Sequence, residues 1–319
     1  MTAPNATFWI VMPVHNRREI TLGCLEHLRT LGVLDWARLV VVDDGSTDGT
    51  AEAVQSAFAD TTVLRGDGGL WWGGAIRLGM KHAMDHGAAA IFWLNDDCLP
   101  EPGSLETIRD LALERKAIVT AQTRTDLGIR NGGRTKTRFG LRHQTCPSGG
   151  VLPCDFTSGN CVCIPAEIFN RIGPPRADWV PHHFADHDYG LLAREAGFRC
   201  FVSGDAICDD ACRHVPSPMA QVYASWLLGD RPLREIWRDA RRPKSPLYLR
   251  ARLAHFPRYW GIWGYFLALA PFAKLAAVTA IRSIVPVCIL RRIFGHRSVA
   301  WKMQSLYGTE KTAAEAKSS

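Results

Sequence analysis

The N-terminal part of the chain alternates short, continuously apolar runs with longer amphipathic segments. Because strands buried on both faces are apolar throughout, the runs at 8–12, 39–42, 62–64 and 91–94 predict parallel strands. The segments between them, at 17–31, 48–58 and 74–86, are long enough for crossover helices. This alternation predicts right-handed βαβ units and an α/β fold, in which a mostly parallel, Rossmann-like sheet carries helices on both faces. Ser46, Thr47 or Asp48 is expected to cap the second helix.

The pattern becomes less regular beyond residue 100. A helix is expected after Pro102 and a strand at 117–121. Residues 122–150 are rich in Gly, Arg, Thr and Lys and show little periodicity, which predicts a long surface excursion. Apolar structure returns at 154–164, and helices from 165 and over 187–195 precede a strand at 199–202. We therefore expect one domain over residues 1–225, with halves at about 1–121 and 150–225.

The C-terminal region has a different character, because tryptophan, tyrosine and phenylalanine are interleaved with arginine from about residue 226 onward. The span 259–281 is apolar enough for a transmembrane helix, but Pro271 and Lys274 interrupt it, and the run 283–290 is too short to cross a bilayer. We expect helices over 226–308 that lie in the membrane interface. A soluble helical subdomain with the same residues as its core is the alternative. The polar tail 309–319 is expected to be disordered.

Charge and composition narrow the possible partners and the location. The chain of 319 residues is 47% hydrophobic with a net charge of +7, and its basic residues gather at 124–142 and 231–297. Because the sequence contains no recognisable nucleic-acid-binding module, we expect no nucleic-acid partner. We favour an anionic membrane surface as the partner of the basic residues. The first residues lack a secretory signal, so we expect a cytoplasmic protein, peripheral on the inner face of the plasma membrane. The ten cysteines lack paired zinc-ligand spacing and are expected to be buried, reduced thiols.

Acidic residues follow two of the predicted strands directly. Asp43 and Asp44 end the run at 39–42, and the polar triplet Asn95, Asp96 and Asp97 ends the run at 91–94. In an open α/β sheet the ligand site lies beyond the carboxyl ends of the strands. Neighbouring carboxylates repel each other there unless a cation or hydrogen-bond donors compensate. These clusters therefore predict a site for a divalent metal or for a polar ligand with ribose hydroxyls.

A third acidic cluster, at 186–188, opens a predicted helix and completes a set of motifs. Taken together and in this order, the motifs resemble those of the family 2 glycosyltransferases, which are inverting nucleotide-sugar enzymes of the GT-A fold. The resemblance covers roughly residues 7–215. The matching residues are Pro13, His15, Asn16, Arg17, Asp43, Asp44, Ser46, Asp48, Asn95, Asp96, Asp97, Ser158, Gly159, Asn160, Cys161, Asp186, His187 and Asp188.

The resemblance implies a donor site that binds a nucleotide sugar. Asp43 and Asp44 would hold the base and ribose, and Asn95 replaces the first acid of the Asp-x-Asp motif. The glycine-rich segment 66–74 would wrap over the donor, and Trp72 could stack on it or pack in the core. Arg17 and Arg77 could face the diphosphate or be solvated helix charges. The candidate donor-binding residues are Pro13, His15, Asn16, Arg17, Asp43, Asp44, Asp67, Trp72, Arg77, Asn95 and Asp96.

The resemblance also implies a divalent cation, Mg²⁺ or Mn²⁺, as cofactor. Asp97 would bind it where it bridges the diphosphate, since carboxylate oxygens suit these hard ions. A further ligand would come from the segment after the last strand. The family often uses a histidine there, and His214, Asp209 and Asp210 are the three candidates, between which the sequence does not decide.

On the acceptor side, Asp186 matches the catalytic base of the family. It would accept the proton of an acceptor hydroxyl. The alternative is an acid placed at a helix N-terminus by the dipole. Gly159, Asn160 and Asp188 are candidate acceptor-binding residues, and Asp188 could instead support the helix and position the base together with Arg194.

Other functions fit the sequence less well. A dinucleotide-binding dehydrogenase is disfavoured, because two tryptophans follow Gly66 and Gly68 where the pyrophosphate would need to approach the backbone closely. A P-loop kinase or ATPase is disfavoured because the sequence contains no P-loop motif. A sugar-phosphate nucleotidyltransferase would need a glycine-rich loop with Arg and Lys near the N-terminus, and this sequence lacks such a loop. A membrane-docked scaffold with a decayed transferase domain would have lost at least one of the acidic residues that are present here. We therefore expect transfer of one sugar from a UDP- or dTDP-sugar, with rhamnose as a first candidate, to a glycan or lipid-linked glycan in bacterial envelope polysaccharide synthesis.

Overall fold

The computed structural model of the chain describes residues 7–125, 128–211, 227–228, 233–239 and 241–294. Over these residues the chain forms two compact units. The first comprises the described residues of 1–125 and 129–212, and the second those of 126–128 and 213–319.

The first unit begins with the predicted βαβ alternation. The strands are β1 Thr7–Val14, β2 Ala37–Asp43, β3 Thr62–Arg65 and β4 Ala88–Leu94, and the helices between them are α1 Arg18–Thr30, α2 Thr50–Ala57 and α3 Trp71–Asp85. Strands β1 to β4 are mutually parallel, with β4 next to β1, β1 next to β2, and β2 next to β3. The four predicted strands and three predicted helices are therefore confirmed.

Nine further strands and three helices complete the first unit. They are β5 Cys98–Pro100, α4 Ser104–Arg115, β6 Ile118–Thr125, β7 Gly128–Asn131, β8 Gly133–Thr137, β9 Gly140–Gln144, β10 Val151–Cys154, β11 Phe156–Thr157, β12 Cys161–Pro165, α5 Ala166–Ile172, α6 Ala185–Glu195 and β13 Cys200–Asp210. The main sheet has the order β10-β13-β6-β12-β4-β1-β2-β3. Strand β12 runs antiparallel to β4, which places Cys161 opposite Leu94. The chain that leads into β12 therefore lies beside the polar triplet that follows β4.

Residues 122–150 correct the sequence prediction. Instead of a long excursion, they continue β6 and then form β7, β8 and β9. Strands β11, β8 and β9 make a separate three-stranded antiparallel sheet. This sheet consists largely of threonine, arginine, lysine and glycine, so its strands lack the apolar signature that identifies buried ones.

The core lies on both faces of the main sheet. Alternate residues of β1 illustrate the division, because Ile10 and Met12 pack in the cluster that includes Leu25 of α1 and Ile108 of α4. Trp9 and Val11 pack in the opposite cluster, which includes Met80 of α3, Ile168 of α5 and Tyr189 of α6. Eight of the nine cysteines among the described residues are buried, and Cys288 is exposed.

The second unit is helical over its described residues. Its helices are α7 Leu233–Asp239, α8 Leu249–Trp260, α9 Ile262–Ile284 and α10 Val287–Phe294. Helices α8 and α9 are close to each other at Gly264, where a Cβ atom would lie 2.2 Å from the carbonyl oxygen of Phe256. Helices α9 and α10 expose eight large apolar side chains, at Ile262, Tyr265, Phe266, Leu269, Ile281, Ile284, Ile289 and Ile293.

Helix α9 is long and apolar enough to cross a membrane, by the measures of length and composition alone. It is the one helix with this property among the residues described above. The tail 309–319, for which disorder was predicted, lies outside the described residues.

Candidate active site

The carboxylate of Asp44 anchors the glycine-rich loop that precedes α3. Its Oδ1 accepts hydrogen bonds from the N–H groups of Gly68 at 2.9 Å and Leu70 at 3.1 Å, and its Oδ2 accepts one from Trp71 at 2.7 Å. These bonds satisfy donors at the start of the helix, where a negative charge is also favoured by the dipole. This contact explains why α3 begins at Trp71, three residues before the predicted start.

The loops after β1 and β2 are tied to each other. Nδ1 of His15 donates to the carbonyl oxygen of Asp44 at 2.6 Å. Oδ1 of Asn16 accepts the N–H of Thr47 at 2.7 Å. Asp43, which is buried, accepts the N–H of Ser46 at 2.9 Å. His15 and Asn16 are exposed, so this linked turn presents polar side chains at the carboxyl end of the sheet.

The N-cap of α2 is Gly49 and not Ser46, Thr47 or Asp48, so the predicted cap is wrong. Asp48 lies one residue before Gly49. Its carboxylate accepts the N–H of Thr50 at 3.1 Å and also the N–H of Arg18 at 3.1 Å. These two bonds hold the starts of α1 and α2 together.

Asp96 and Asp97, which we call the acid pair, share the guanidinium group of Arg17. Nη1 of Arg17 lies 3.2 Å from Oδ1 of Asp96, and Nη2 lies 2.8 Å from Oδ2 of Asp97. The side chain of Asp96 is 2% exposed and that of Asp97 is 26% exposed. Burial raises the pKa of Asp96 to about 6; Arg17 opposes this rise, and Asp97 adds to it. The inner acid also accepts a hydrogen bond from the hydroxyl of Thr21 at 2.9 Å.

The end of β13 lies next to the acid pair. The N–H of Ala211 donates to the carbonyl oxygen of Asp97 at 2.8 Å, and Asp210 is opposite Cys98 in the sheet. Asp209 binds Arg124 through both carboxylate oxygens, at 2.8 and 3.1 Å. His214, one of the three candidates for a further metal ligand, lies outside the described residues. Within the described part of the chain there is no group of three or more His, Cys, Asp or Glu side chains that could hold a metal.

Trp72 links the donor-side loop to the polar triplet and to the acceptor side. Its indole Nε1 donates to Oδ1 of Asn95 at 2.8 Å, and Nδ2 of Asn95 donates to Oδ1 of Asn160 at 3.2 Å. The ring lies against Gly159, where a Cβ atom would be only 2.6 Å from a ring carbon. The same ring packs edge-on against Trp93, with centroids 5.4 Å apart. Trp72 is thus held by both polar contacts and packing.

Asp186 is in the first turn of α6, and its carboxylate is oriented by two backbone donors. Oδ2 accepts the N–H of Gly159 at 2.9 Å, and Oδ1 accepts the N–H of His187 at 2.9 Å. Its side chain is 20% exposed. The bond to Gly159 brings Asp186 to the same place as Trp72 and Asn95, although these three residues are far apart in the sequence.

Asp188 and Arg194 lie in different surroundings. Asp188 is fully buried, and its carboxylate forms a bidentate pair with Arg176, at 2.9 Å to Nε and 2.5 Å to Nη2. Arg194 instead forms an ion pair with Asp155. Arg176 was not found from the sequence, because no local pattern connects it to an acid twelve positions later.

Two further predicted donor residues bind protein groups. Arg77 forms a bidentate pair with Asp178, at 2.8 and 3.2 Å, and Asp67 accepts the N–H of Gly69 at 2.9 Å. The segment that carries Asp178 also supplies acceptors to the first turn of α3. Gly73 donates its N–H to the carbonyl oxygen of Pro181 at 2.7 Å, and Trp72 donates its N–H to Nδ1 of His182 at 3.4 Å. No pattern in the sequence predicts this link.

Comparison with known proteins identifies the family and the fold of the chain. The model of the family described as glycosyl transferase family 2 matches residues 9–173. A solved mannosyltransferase, PcManGT from Pyrobaculum calidifontis in complex with GDP-Man and Mn²⁺, is similar with a TM-score of 0.50 and 18% identity, covering 88% of this chain and 82% of that one. GalNAc-T7 with UDP, GalNAc and Mn²⁺ is similar with a TM-score of 0.55 and 9% identity, covering 82% of this chain and 59% of that one. No curated protein sequence matches the chain. The two likenesses confirm the expected GT-A fold.

Proposed function

The chain belongs to glycosyl transferase family 2, and on that premise we propose that it moves one sugar from a UDP- or dTDP-sugar to a glycan or lipid-linked glycan. The observation that most supports this proposal is the meeting of Asp186, Gly159, Trp72 and Asn95 at the carboxyl end of β4. This arrangement puts a partly exposed carboxylate next to the place where the family resemblance puts the donor sugar.

In the proposed reaction, Asp186 acts as the general base. An acceptor hydroxyl attacks the anomeric carbon of the donor as its proton passes to an Asp186 carboxylate oxygen. The bond from the acceptor oxygen to that carbon forms, and the bond from the carbon to the diphosphate oxygen breaks. The nucleoside diphosphate leaves with the electron pair, and the configuration inverts. The N–H groups of Gly159 and His187 hold the carboxylate in a fixed orientation, which is the contribution of positioning to such a step.

The donor site is proposed at the linked turn formed by the loops after β1 and β2. Pro13, His15, Asn16 and Asp67 offer surfaces there that are not fully buried. The carboxylate of Asp44 is committed to the backbone of residues 68–71. We therefore propose that Asp44 shapes the donor site by holding this loop. We also propose that Asp44 contacts the base of the nucleotide while its carboxylate keeps these hydrogen bonds.

A divalent cation is proposed at the outer acid of the pair. Asp97 has a partly exposed carboxylate that already holds a positive charge, that of Arg17, and its oxygens are of the kind that Mg²⁺ and Mn²⁺ prefer. A donor from 209–214 would complete the protein's share of the ligands. When bound, such an ion neutralises negative charge that develops on the leaving diphosphate. Both structural neighbours were solved with Mn²⁺.

The second unit is proposed to bind the anionic inner face of the plasma membrane. Exposed apolar side chains on α9 and α10 lie on the same helices as basic residues, among them the exposed Arg291 and Arg292. Apolar and cationic side chains together favour an anionic lipid surface. Such a location would suit a lipid-linked acceptor of bacterial envelope polysaccharide synthesis, and dTDP-rhamnose is the first donor to test.

Transfer can be tested by the release of nucleoside diphosphate from a panel of UDP-, dTDP- and GDP-sugars, with Mn²⁺, Mg²⁺ or EDTA and with membrane extract as acceptor source. We expect turnover of one donor, reduced at least about 100-fold in Asp186→Asn. The control is Asp60→Asn, which removes an exposed carboxylate next to β3. Nucleotide binding without turnover of any donor would contradict transfer and support an inactive scaffold.

Membrane binding can be tested by sedimentation with vesicles. We expect the protein to bind vesicles that contain phosphatidylglycerol, and Phe266→Glu with Ile284→Glu to abolish this binding. Phe139→Glu is the matched control, because Phe139 is an exposed aromatic residue of the first unit, with 79% of its surface accessible. Equal binding by all variants would refute a role for this helix face.

A further inference from the structure

The guanidinium group of Arg17 lies where a cation is expected to bind. Its Nη2 is 2.8 Å from Oδ2 of Asp97, and its Nη1 is 3.2 Å from Oδ1 of Asp96. We propose that Arg17 is a positioning residue that occupies the acid pair until a divalent cation takes Asp97, and that it then turns toward the diphosphate of the donor. This inference rests on the proposed function, because it assumes that a nucleotide sugar and a cation bind here.

The two acids hold Arg17 unequally. Asp96 is 2% exposed and has a further partner in the hydroxyl of Thr21, so the inner contact is fixed within the core. Asp97 is 26% exposed, so part of its carboxylate is accessible to solvent. The outer contact is therefore the one that an incoming cation can replace while Arg17 keeps its contact with Asp96.

The charge count favours such a replacement most when the donor is present. Two carboxylates and one guanidinium leave the site with a net charge of −1 when both acids are ionised, so Arg17 halves the negative charge that attracts a divalent cation. The bound cation would also stand beside the guanidinium, and the repulsion between these two positive groups weakens binding of the cation alone. The diphosphate of a donor brings negative charges that can accept hydrogen bonds from a displaced guanidinium, which is suited to bidentate contacts with phosphate.

A consequence of this exchange is positive coupling between cation and nucleotide. Arg17 weakens cation binding to the nucleotide-free protein, and the nucleotide removes that competition. By linkage, the cation must strengthen nucleotide binding by the same factor. Arg17 would thus make the donor and its metal bind together, which limits occupation of the site by either one alone.

The position of Arg17 in the fold supports a limited swing. It is the last residue before α1, and the N–H of Thr21 donates to its carbonyl oxygen at 2.9 Å, so its backbone is fixed by the helix. Its side chain is 32% exposed. A long side chain on a fixed backbone can exchange partners without a rearrangement of the sheet.

The test is Mn²⁺ binding, followed by the loss of the free-ion electron paramagnetic resonance signal, for the wild type and Arg17→Gln with and without UDP or dTDP. Protein-free samples correct for Mn²⁺ bound by the nucleotide in solution. We expect Arg17→Gln to bind Mn²⁺ about tenfold more tightly than the wild type without nucleotide, the effect of one charge-assisted hydrogen bond lost by the competitor. The factor by which nucleotide and Mn²⁺ strengthen each other should fall in the same variant.

Two variants and one control keep the result unambiguous. Arg18→Gln removes the neighbouring exposed guanidinium, which pairs with Glu19, and should match the wild type. Asp97→Asn in the Arg17→Gln background should abolish the gain, which locates the ion at Asp97. Arg17→Lys keeps the charge and should give intermediate binding; it also serves if the glutamine variant does not fold, as judged by circular dichroism.

Mn²⁺ binding to Arg17→Gln that is equal to or weaker than that of the wild type would overturn the proposal, as would the absence of Mn²⁺ binding in both. The proposed function fails by a different measurement, the absence of sugar-donor turnover. Failure of the inference and failure of the proposed function can therefore be distinguished.

Discussion

The indole Nε1 of Trp72 donates a hydrogen bond to Oδ1 of Asn95 at 2.8 Å. This contact joins the loop that precedes α3 to the residue that stands where the family has the first acid of its metal motif. An aspartate at position 95 could accept the same bond, but it would place a third negative charge next to the acid pair. The neutral side chain therefore fits a site in which one guanidinium already serves two carboxylates.

Trp72→Phe should keep the ring but lose this hydrogen bond. The carbonyl oxygen of Asn95 then loses its partner, and we expect kcat/KM to fall about tenfold, because a lost hydrogen bond of this kind is worth about 1 to 1.5 kcal/mol. The midpoint of thermal unfolding should change little. Trp237→Phe, at an exposed tryptophan of the second unit, is the control. A fall in stability without a fall in kcat/KM would show that Trp72 is only a core residue.

Gly159→Ala should disable the site by displacing its neighbours. A Cβ atom at this position would lie 2.6 and 2.7 Å from two ring carbons of Trp72 and 3.0 Å from Cβ of Asp186. We expect loss of transfer by at least about 100-fold, and a destabilisation of about 1 to 3 kcal/mol from the crowding. Steady-state kinetics and denaturant unfolding measure the two effects.

The matched control is Gly23→Ala. Gly23 is exposed in α1, and nothing lies within 4 Å of a Cβ atom built there. Alanine is favoured over glycine inside a helix by about 0.5 to 1 kcal/mol, so this variant should be more stable and fully active. Wild-type activity in Gly159→Ala would contradict the close packing described here.

Asp96 should make stability depend on pH in a defined window. Its pKa is raised to about 6 by burial, whereas an aspartate of the unfolded chain titrates near 3.9. Between these values the folded state holds a proton that the unfolded state has released, so the free energy of unfolding falls as the pH rises from about 4 to 6. Asp96→Asn lacks this titrating group. Its free energy of unfolding should therefore rise by about 2 kcal/mol relative to that of the wild type between pH 4 and pH 7.

This gain can be measured by urea unfolding in EDTA at several pH values. Asp60→Asn, which removes an exposed carboxylate, should show no such change relative to the wild type. If the free energies of unfolding of Asp96→Asn and the wild type differed by the same amount at every pH, Asp96 would have the same pKa in the folded and unfolded states.

Arg252 and Pro271 should be energetically coupled in the second unit. Pro271 cannot donate to the carbonyl oxygen of Leu267, and Nη2 of Arg252 donates to that oxygen at 2.8 Å. Nε of Arg252 donates to the carbonyl oxygen of Ala268 at 2.7 Å, and the residue is only 4% exposed. Arg252→Met should therefore destabilise α8 and α9 by about 2 to 4 kcal/mol.

Pro271→Ala supplies the missing helix N–H, so it should reduce the cost of Arg252→Met in the double variant. Hydrogen exchange of 249–284 measures each local stability, and the double-mutant cycle isolates the interaction. Additive effects would indicate that Arg252 acts through its other contacts alone.

The βαβ framework and the order of the acidic clusters can be predicted from the sequence alone. Continuous apolar runs identify buried parallel strands because burial on both faces leaves no polar positions, and an acid directly after such a run must lie at the carboxyl edge of the sheet. Asp44 and Asp97 could therefore be assigned to one region before the structure was known, whereas Asp186 was assigned to the site only by its resemblance to the family's catalytic base.

The contacts that these residues make become visible only in the folded chain. The strands at 128–144 were missed because their pairing is made by the backbone between polar residues, which leaves no periodic pattern. The pairs of Arg17 with Asp97, Arg77 with Asp178 and Arg176 with Asp188 join residues 80, 101 and 12 positions apart. Contacts between charged side chains depend on their distance in space, and the sequence pattern does not contain this distance. Burial of a strand, by contrast, requires an apolar residue at each of its positions and can therefore be predicted from the sequence.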